Sequence, residues 1–295
     1  MQQHEFNQIS PHIFWLSPAQ ETDRPILGAI SGKHSTLIVD AGNSPAHARH
    51  FLEKLSRVAT APPKYLALTH WHWDHVFGSA TIDLPTFGHI ETKRIVTEMA
   101  KLDWSDAALD RRVEQGAEIA FCRDMIKAEL PDRRNLAIKP PNMAFTGQVE
   151  IDLGETRCQI VHVGGDHSPD STVVYVPDDK IMFLGDCLSP DLYHGERHYT
   201  SRKIFQLLDQ LSRYDVKFYL EAHNPDPLTR AEMMELAALF KTIGRLVEQI
   251  GPMRAEVLRA LEQSLDTPLD QDHREMVDQF LVGLAKSQPA HTKQD

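Results

Sequence analysis

Three imidazoles and a carboxylate crowd into six residues of this chain, His70-x-His72-x-Asp74-His75, within the stretch YLALTHWHWDHVFGSA from Tyr65 to Ala80. Polar groups this dense are costly to bury without a partner. A metal cation is the natural one, because neutral imidazole and carboxylate are ordinary zinc ligands. The alternative is a polar loop with several unrelated histidines. Leu66-Ala67-Leu68, just upstream, reads as a short buried strand. In extended chain, side chains at i, i+2 and i+4 share a face. His70, His72 and Asp74 are therefore expected together, with Trp71 and Trp73 turned away. His75 should follow where the strand breaks into a loop or helix.

Further downstream, chemistry-bearing residues recur at strand ends. Gly164 to Ser171, GGDHSPDS, is a loop closing into a strand and carries His167. Ile181-Met182-Phe183-Leu184-Gly185-Asp186 is an apolar strand ending in Gly-Asp. A buried carboxylate there needs something to satisfy it; two cations would serve both oxygens, and a strand-end turn is the other reading. Phe218-Tyr219-Leu220 is a strand leading to Glu221-Ala222-His223-Asn224-Pro225.

Together these motifs resemble the metallo-β-lactamase-fold hydrolase superfamily, over most of Ile13 to Leu236 and in compatible order. The resemblance implies an α/β fold: an αβ/βα sandwich of two mixed β-sheets flanked by helices, with a metal pair at the rim of the sheets. The Gly164–Ser171 loop is similar to the family's GHTxGS-type loop, although Asp170 stands where many relatives have Gly. Ala222 replaces the Gly that often precedes the last ligand. Carried over, one metal takes His70, His72 and His167; the other takes Asp74, His75 and His223; Asp186 bridges them. Several antibiotic-hydrolysing relatives carry Cys in this region, so Cys187 is an alternative ligand. Asp40 ends the strand Ser35–Val39; it either supports the metal site, as the family's Asp does there, or makes an Asp-x-Gly turn with Gly42.

The donor set suits two Zn2+, with Mn2+ or Fe also compatible. The implied activity is hydrolysis by a metal-bridging hydroxide, formed near neutral pH. The expected substrate is a small cyclic or activated acyl compound: lactone, lactam or thioester. Asp74 could assist proton transfer. Tyr193, His194 and Tyr199 follow Asp186 on a loop expected to face the site, where any could donate to an oxyanion. An iron-dependent sulfur or oxygen oxidoreductase on the same fold is the alternative, as is a phosphodiesterase or nuclease.

The remaining chain must position these groups. Strands are expected at Ile13–Leu16, Ile26–Ser31, Ser35–Val39, Thr86–His89, Val149–Leu153, Thr156–Val163, Ser171–Val176 and Lys180–Leu184. Ser44 should cap a helix burying Phe51, Leu52, Leu55 and Val58. Gly78-Ser79-Ala80 suits a close backbone approach. Helices are expected at Glu91–Lys101, through a 103–130 insertion, over Thr200–Tyr214, and from Arg230 to Lys286, where Leu236, Leu239, Phe240, Ile243 and Leu246 form a stripe. This predicts one metallo-β-lactamase-like domain over 1–250 and a C-terminal helical extension over 251–295 that caps the site or makes a homodimer surface.

The 295 residues are 41% hydrophobic and 25% charged, ordinary for a folded protein. A net charge of −11 argues against a nucleic-acid partner. Three cysteines without paired spacing point to a reducing compartment. The N-terminus shows no basic-then-apolar leader, and no apolar run nears the ~18 residues of a membrane span. A cytoplasmic protein acting on a small molecule is expected.

Overall fold

A computed structural model of the chain describes residues 4–287. The chain forms two compact units. The first takes the described residues through Gly164, with Ser168–Cys187 and Asp215–Arg230; the second takes Gly165–His167, Leu188–Tyr214 and the described residues from Ala231 onward.

In the first unit, β1 (Phe6–Gln8), β2 (Ile13–Leu16), β3 (Leu27–Ser31), β4 (Thr36–Val39), β5 (Pro63–Ala67), β6 (Thr86–His89) and β7 (Met143–Phe145) pair in that order into a seven-stranded sheet. β1 to β4 run antiparallel; β4 to β7 run parallel. Parallel neighbours need crossovers. Those are α1 (Pro45–Leu55), then α2 (Trp73–Val76) with α3 (Ser79–Ile82), then α4 (Ile90–Met99), α5 (Asp106–Glu114) and α6 (Ala120–Glu129). A second, six-stranded sheet has β8 (Gln148–Asp152), β9 (Arg157–His162), β10 (Thr172–Val176), β11 (Ile181–Gly185), β12 (Phe218–Glu221) and β13 (Leu228–Thr229) in that order. It is also mixed, since β11 and β12 are parallel. Two mixed sheets flanked by helices make the expected αβ/βα sandwich.

The core explains the pairing. Ile13, Trp15, Ile30, Leu37 and Val39 of one sheet pack with Ile160, Val174, Val176, Ile181 and Phe183 of the other. β2, β3, β4, β10 and β11 are buried at every position, so both faces of each strand are covered. Each such aliphatic or aromatic side chain contributes about 1.5–3 kcal/mol on burial.

The helices depart from expectation in detail. The Ser44 hydroxyl accepts from the His47 N–H at 3.0 Å, and Pro45 opens α1. The buried face is His47, Ala48, Phe51 and Leu55, while Val58 lies beyond the helix end and is exposed. The 103–130 stretch does form helices, α5 and α6. Glu129 at the end of α6 accepts from Thr22 (2.5 Å), Ser44 (2.5 Å) and Arg24 (2.8 and 3.0 Å).

In the second unit, α7 (Ser201–Leu211) buries Ile204, Leu207, Leu208 and Leu211, as its periodicity predicts. α8 (Arg230–Ile250) lies in this unit from Ala231 and buries Met233, Phe240, Ile243, Gly244 and Val247. Leu236, Leu239 and Leu246 are only half-buried, so the stripe is rotated from the expected one. α9 (Arg254–Leu265) and α10 (Gln271–Ser287) complete the unit, with Tyr199 packed between Phe240 and Phe280 at 5.1 and 5.4 Å. Among the described residues, no helix is long and apolar enough to cross a membrane.

Gly78, at the junction of α2 and α3, tests how closely the site segment is held. Its backbone is right-handed helical, so alanine carries no conformational penalty there. A Cβ, however, would lie 2.0 Å from the Ala41 carbonyl oxygen and 2.8 Å from the Ala48 methyl. Gly78→Ala should cost about 1–3 kcal/mol by overpacking, read as a lower midpoint in urea unfolding. An unchanged midpoint would mean that the junction yields freely.

Candidate metal centre

The histidine motif is not an extended strand throughout. β5 ends at Ala67, and Asp74 and His75 lie on α2, which starts after His72 at φ −59°, ψ 148°. The strand stops because Asp40 captures the chain. Its carboxylate accepts from the Thr69 N–H at 2.7 Å and the Thr69 hydroxyl at 2.8 Å. The expectation that His70, His72 and Asp74 share one strand face is therefore corrected. The turn into α2 separates Asp74 from the first two histidines and pairs it with His75.

Of the two expected ligand groups, the one that lies wholly in the first unit closes: Asp74, His75, Asp186 and His223 bring ligand atoms within 4.8 Å of one another. Of the other, His70, His72 and Asp186 lie in the first unit, with His70 Nε2 3.9 Å from Asp186 Oδ2, and His167 lies in the second. In the closed group, Asp74 Oδ2 is 3.0 Å from His75 Nε2 and 3.3 Å from His223 Nε2. Asp186 Oδ2 is 3.5 and 3.4 Å from the same two nitrogens.

The backs of the rings are held by acceptors. His75 Nδ1–H donates to Asp40 Oδ2 at 2.8 Å. The Thr69 hydroxyl, itself donating to Asp40, accepts from His70 Nδ1 at 3.1 Å. His167 Nδ1 donates to the Pro190 carbonyl at 3.2 Å. An Nδ1–H engaged this way leaves the neutral ring's lone pair on Nε2, which is how outer partners orient metal-ligating histidines. Asp40 thus does what the family resemblance implies. It also sits in the left-handed region, at φ +61°, followed by Gly42 at +82°, so the turn reading holds as well.

Asp186 is aimed by Gly185, which has φ +56°. A Cβ there would meet the Thr69 side chain at 2.8 Å. The rims of the two sheets are joined on either side: Thr172 N–H donates to Thr69 O at 2.8 Å, and Ile26 N–H to Ala222 O at 2.7 Å.

The donor set fits a cation. His75 is fully buried, and its Nε2 faces two carboxylates without a hydrogen bond aligned to either. That is the arrangement expected where a metal replaces the proton. Without one, burial opposes charge on His75, but Asp74, Asp40 and Asp186 outweigh it and raise its pKa well above the ordinary value. His223 behaves alike, with burial opposed by Asp186 and Asp74. Burial alone would raise Asp74; His75 and His223 hold it below the usual carboxylate range.

Residues outside the two groups fall as follows. Cys187 is buried, which pushes its thiol up, and belongs to neither group. Asp191 accepts from the Tyr193 and His194 N–H groups (2.9 and 3.0 Å) and from His194 Nδ1 (2.8 Å), and the His194 side chain is 77% exposed. Tyr199 is buried and its hydroxyl donates to the Leu188 carbonyl at 3.0 Å. Asp170, in the place of the family's Gly, is buried and accepts from the Thr92 hydroxyl at 2.6 Å and from Ser168. His89 is buried and stacks on His162 at 3.9 Å. Sequence reasoning missed Asp23, whose Oδ1 lies 3.6 Å from His223 Nδ1. Burial and the nearby Asp74 charge push its carboxyl up to about 7, against the pull of His223. No spacing in the chain marks it, because it ends a single short 3-10 turn, Gln20–Thr22, with no repeating pattern.

Fold and site together define a metal-binding αβ/βα sandwich. The metallo-beta-lactamase superfamily model matches residues 28–223, and the chain belongs to that superfamily. It is similar to the linear primary-alkylsulfatase of Pseudomonas sp. (strain ATCC 19151), at 21% identity over 177 residues, covering 53% of this chain and 32% of the relative. The chain thus spans about a third of the length of that curated relative. Among solved structures, a metallo-beta-lactamase from Pontibacter korlensis superposes with a TM-score of 0.57 at 19% identity, covering 81% of this chain and 99% of that one. The sec-alkyl sulfatase PisA1 superposes with a TM-score of 0.65 at 12% identity, covering 95% of this chain and 49% of that one.

The raised pKa values of metal-free His75 and His223 set the pH dependence of metal uptake. Metal must displace protons there, so binding should release protons and apparent affinity should rise with pH. Calorimetric titration of the chelator-treated protein with Zn2+, in buffers of different ionisation enthalpy, measures this. Proton-independent binding between about pH 6 and 8, a window that opens just below the ordinary imidazole value of about 6.5 and extends above it, would mean that these two imidazoles do not take the ion.

Proposed function

We propose that this protein is a metal-dependent hydrolase with a binuclear centre. One ion would take His70, His72 and His167, the other Asp74, His75 and His223, with Asp186 shared. The observation that carries this reading is the Asp74–His75–Asp186–His223 group, buried except for the partly exposed His223, whose nitrogens and carboxylate oxygens converge within 4.8 Å. Zn2+ is the ion its imidazole-rich donors suit best, with Mn2+ or Fe compatible.

When bound, such ions supply Lewis-acid polarisation and an activated water at neutral pH. The chain supplies the rest. Asp40 and Thr69 lock the tautomers of His75 and His70, so both rings present a lone pair without reorganisation. Asp74, held ionised by its two imidazole neighbours, would assist proton transfer. The buried rim keeps these groups in a medium where their charges act strongly. No serine or cysteine nucleophile is required, and Cys187 is kept a thiol by burial. Tyr193 and His194 remain candidates for an oxyanion donor.

The substrate class proposed first is a small cyclic or activated acyl compound: a lactone, lactam or thioester. A second reading, sulfate-ester hydrolysis, is favoured by the two alkylsulfatase relatives, one of which superposes over 95% of this chain. Elemental analysis followed by a panel of lactones, lactams, thioesters, alkyl sulfates and phosphodiesters separates these, and oxygen uptake by an iron-loaded protein would point to the oxidoreductase alternative. We further propose that residues 251–295, of which 288–295 lie outside the described residues, extend a 1–250 catalytic domain and that α9 and α10 offer a dimer surface.

Asp186→Asn is the sharpest test of the shared ligand. It preserves volume but removes the charge that offsets repulsion between two dications. The ion at Asp74, His75 and His223 should be lost while the other is kept, since three imidazoles suffice for a zinc site. Activity on whichever panel substrate is turned over should fall at least ~100-fold, because stabilisation by a second ion is worth several kcal/mol. Two ions retained with a near-native rate would make Asp186 a strand-end residue only.

A further inference from the structure

The Nδ1 atoms of His70, His75 and His167 are held from behind by Thr69, Asp40 and the Pro190 carbonyl, each within 35 residues of its histidine. His223 Nδ1 faces Asp23 Oδ1 at 3.6 Å, across 200 residues of sequence. We infer that Asp23 is the positioning residue for His223, and that the helical insertion exists in part to hold Asp23 there. The inference rests on the binuclear reading above.

The loop from Ala19 to Arg24 is built to present this carboxylate. Its two ends close on each other, with Ala19 N–H donating to Arg24 O at 3.0 Å and Arg24 N–H to Ala19 O at 2.9 Å. Asp23, at the tip, takes the left-handed conformation at φ +57°, with its N–H donated to Gln20 O. A non-glycine residue costs of order 1–3 kcal/mol in such regions and stays there only when its surroundings over-determine it. Here they do, on both flanks. The Thr22 carbonyl accepts from Asn43 Nδ2 at 2.8 Å. Thr22 and Arg24 both donate to Glu129 of α6, whose side chain is only 3% exposed. The Arg24–Glu129 contact is a two-point fork, which fixes direction as well as distance. The same carboxylate accepts from Ser44, the cap of α1. Glu129 therefore ties the insertion, the Asp23 loop and α1 into one joint.

A carboxylate behind a ligating imidazole fixes the tautomer and raises the basicity of the other nitrogen. With Asp23 in place, His223 presents Nε2 to Asp74 and Asp186, at 3.3 and 3.4 Å. Without it, the ring loses its reference on that side, and the effect should be confined to the ion that His223 holds.

The test is stepwise Zn2+ affinity of the full chain by chelator competition, with Co2+ absorption reporting ligand geometry. Wild type, Asp23→Ala, Asp23→Asn, Glu129→Gln and the Asp23→Ala/Glu129→Gln double variant are compared, with thermal unfolding of the metal-free proteins as the folding control. Asp23→Ala should weaken only the second ion, by about 10–100-fold, and shift the Co2+ spectrum of that site. Asp23→Asn keeps an acceptor oxygen and should recover most of the loss. Glu129→Gln should weaken the second ion less than Asp23→Ala does, and add nothing in the Asp23→Ala background. Unchanged second-ion affinity in Asp23→Ala, or equal weakening of both ions, overturns the positioning role. Additive losses in the double variant overturn the link through the insertion. A wild type that takes fewer than two ions fails the binuclear reading itself, and is distinguished by being read before any variant.

Discussion

The structure turns on charge that cannot be left buried alone. Asp40, Asp74 and Asp186 lie in the rim of the sandwich with His70, His72 and His75, all almost wholly enclosed. Ionised carboxylates out of water are costly unless paired. Asp40 is satisfied by Thr69 and His75. Asp74 and Asp186 instead converge on imidazole nitrogens, where protons or cations must neutralise them. This requirement accounts for several features that are otherwise unfavourable: the left-handed Asp40, the left-handed Gly185 and the contact of Gly78 with the Ala41 carbonyl.

The two sheets make this arrangement affordable. Strands buried on both faces hold their ends rigidly, and the ligands sit just past those ends or on the first turn of a helix. Side chains at such positions are aimed by the sheet rather than by their own loop. Hydrogen bonds between the rims, at Thr69–Thr172 and Ile26–Ala222, keep the ends in register. The polar network is therefore anchored in the apolar core, and a cavity or clash in that core would be felt at the site.

The loop segments divide between closing the site and tightening it. Asp170 shows how a departure from the family pattern is absorbed. Where a Gly would turn freely, its carboxylate accepts hydroxyl protons from Thr92 and Ser168 and so ties the loop to α4. Glu129 does the equivalent for α6, gathering Thr22, Arg24 and Ser44 around one nearly buried carboxylate. An exposed ion pair contributes little; a buried one with all its donors in place holds elements in a single geometry.

Local sequence determined what proximity along the chain can determine. HxHxDH after an apolar run marked His70, His72, Asp74 and His75, and Gly-Asp after Ile181–Leu184 marked Asp186, whereas His167 and His223 were singled out by the family resemblance of their loop and strand end. Strand periods and the α7 stripe were legible because burial repeats at fixed spacing. Tertiary structure alone decided the rest. The turn that moves Asp74 away from His70 and His72 depends on Asp40 capturing Thr69, a contact across 29 residues. The rotation of the α8 stripe depends on which neighbours cover it, which periodicity does not encode. Asp23 and Glu129 were invisible in sequence because each is an ordinary polar residue until folding brings it to a partner 200 or 105 positions away. Spacing reports neighbours on one element; only packing reports neighbours across elements.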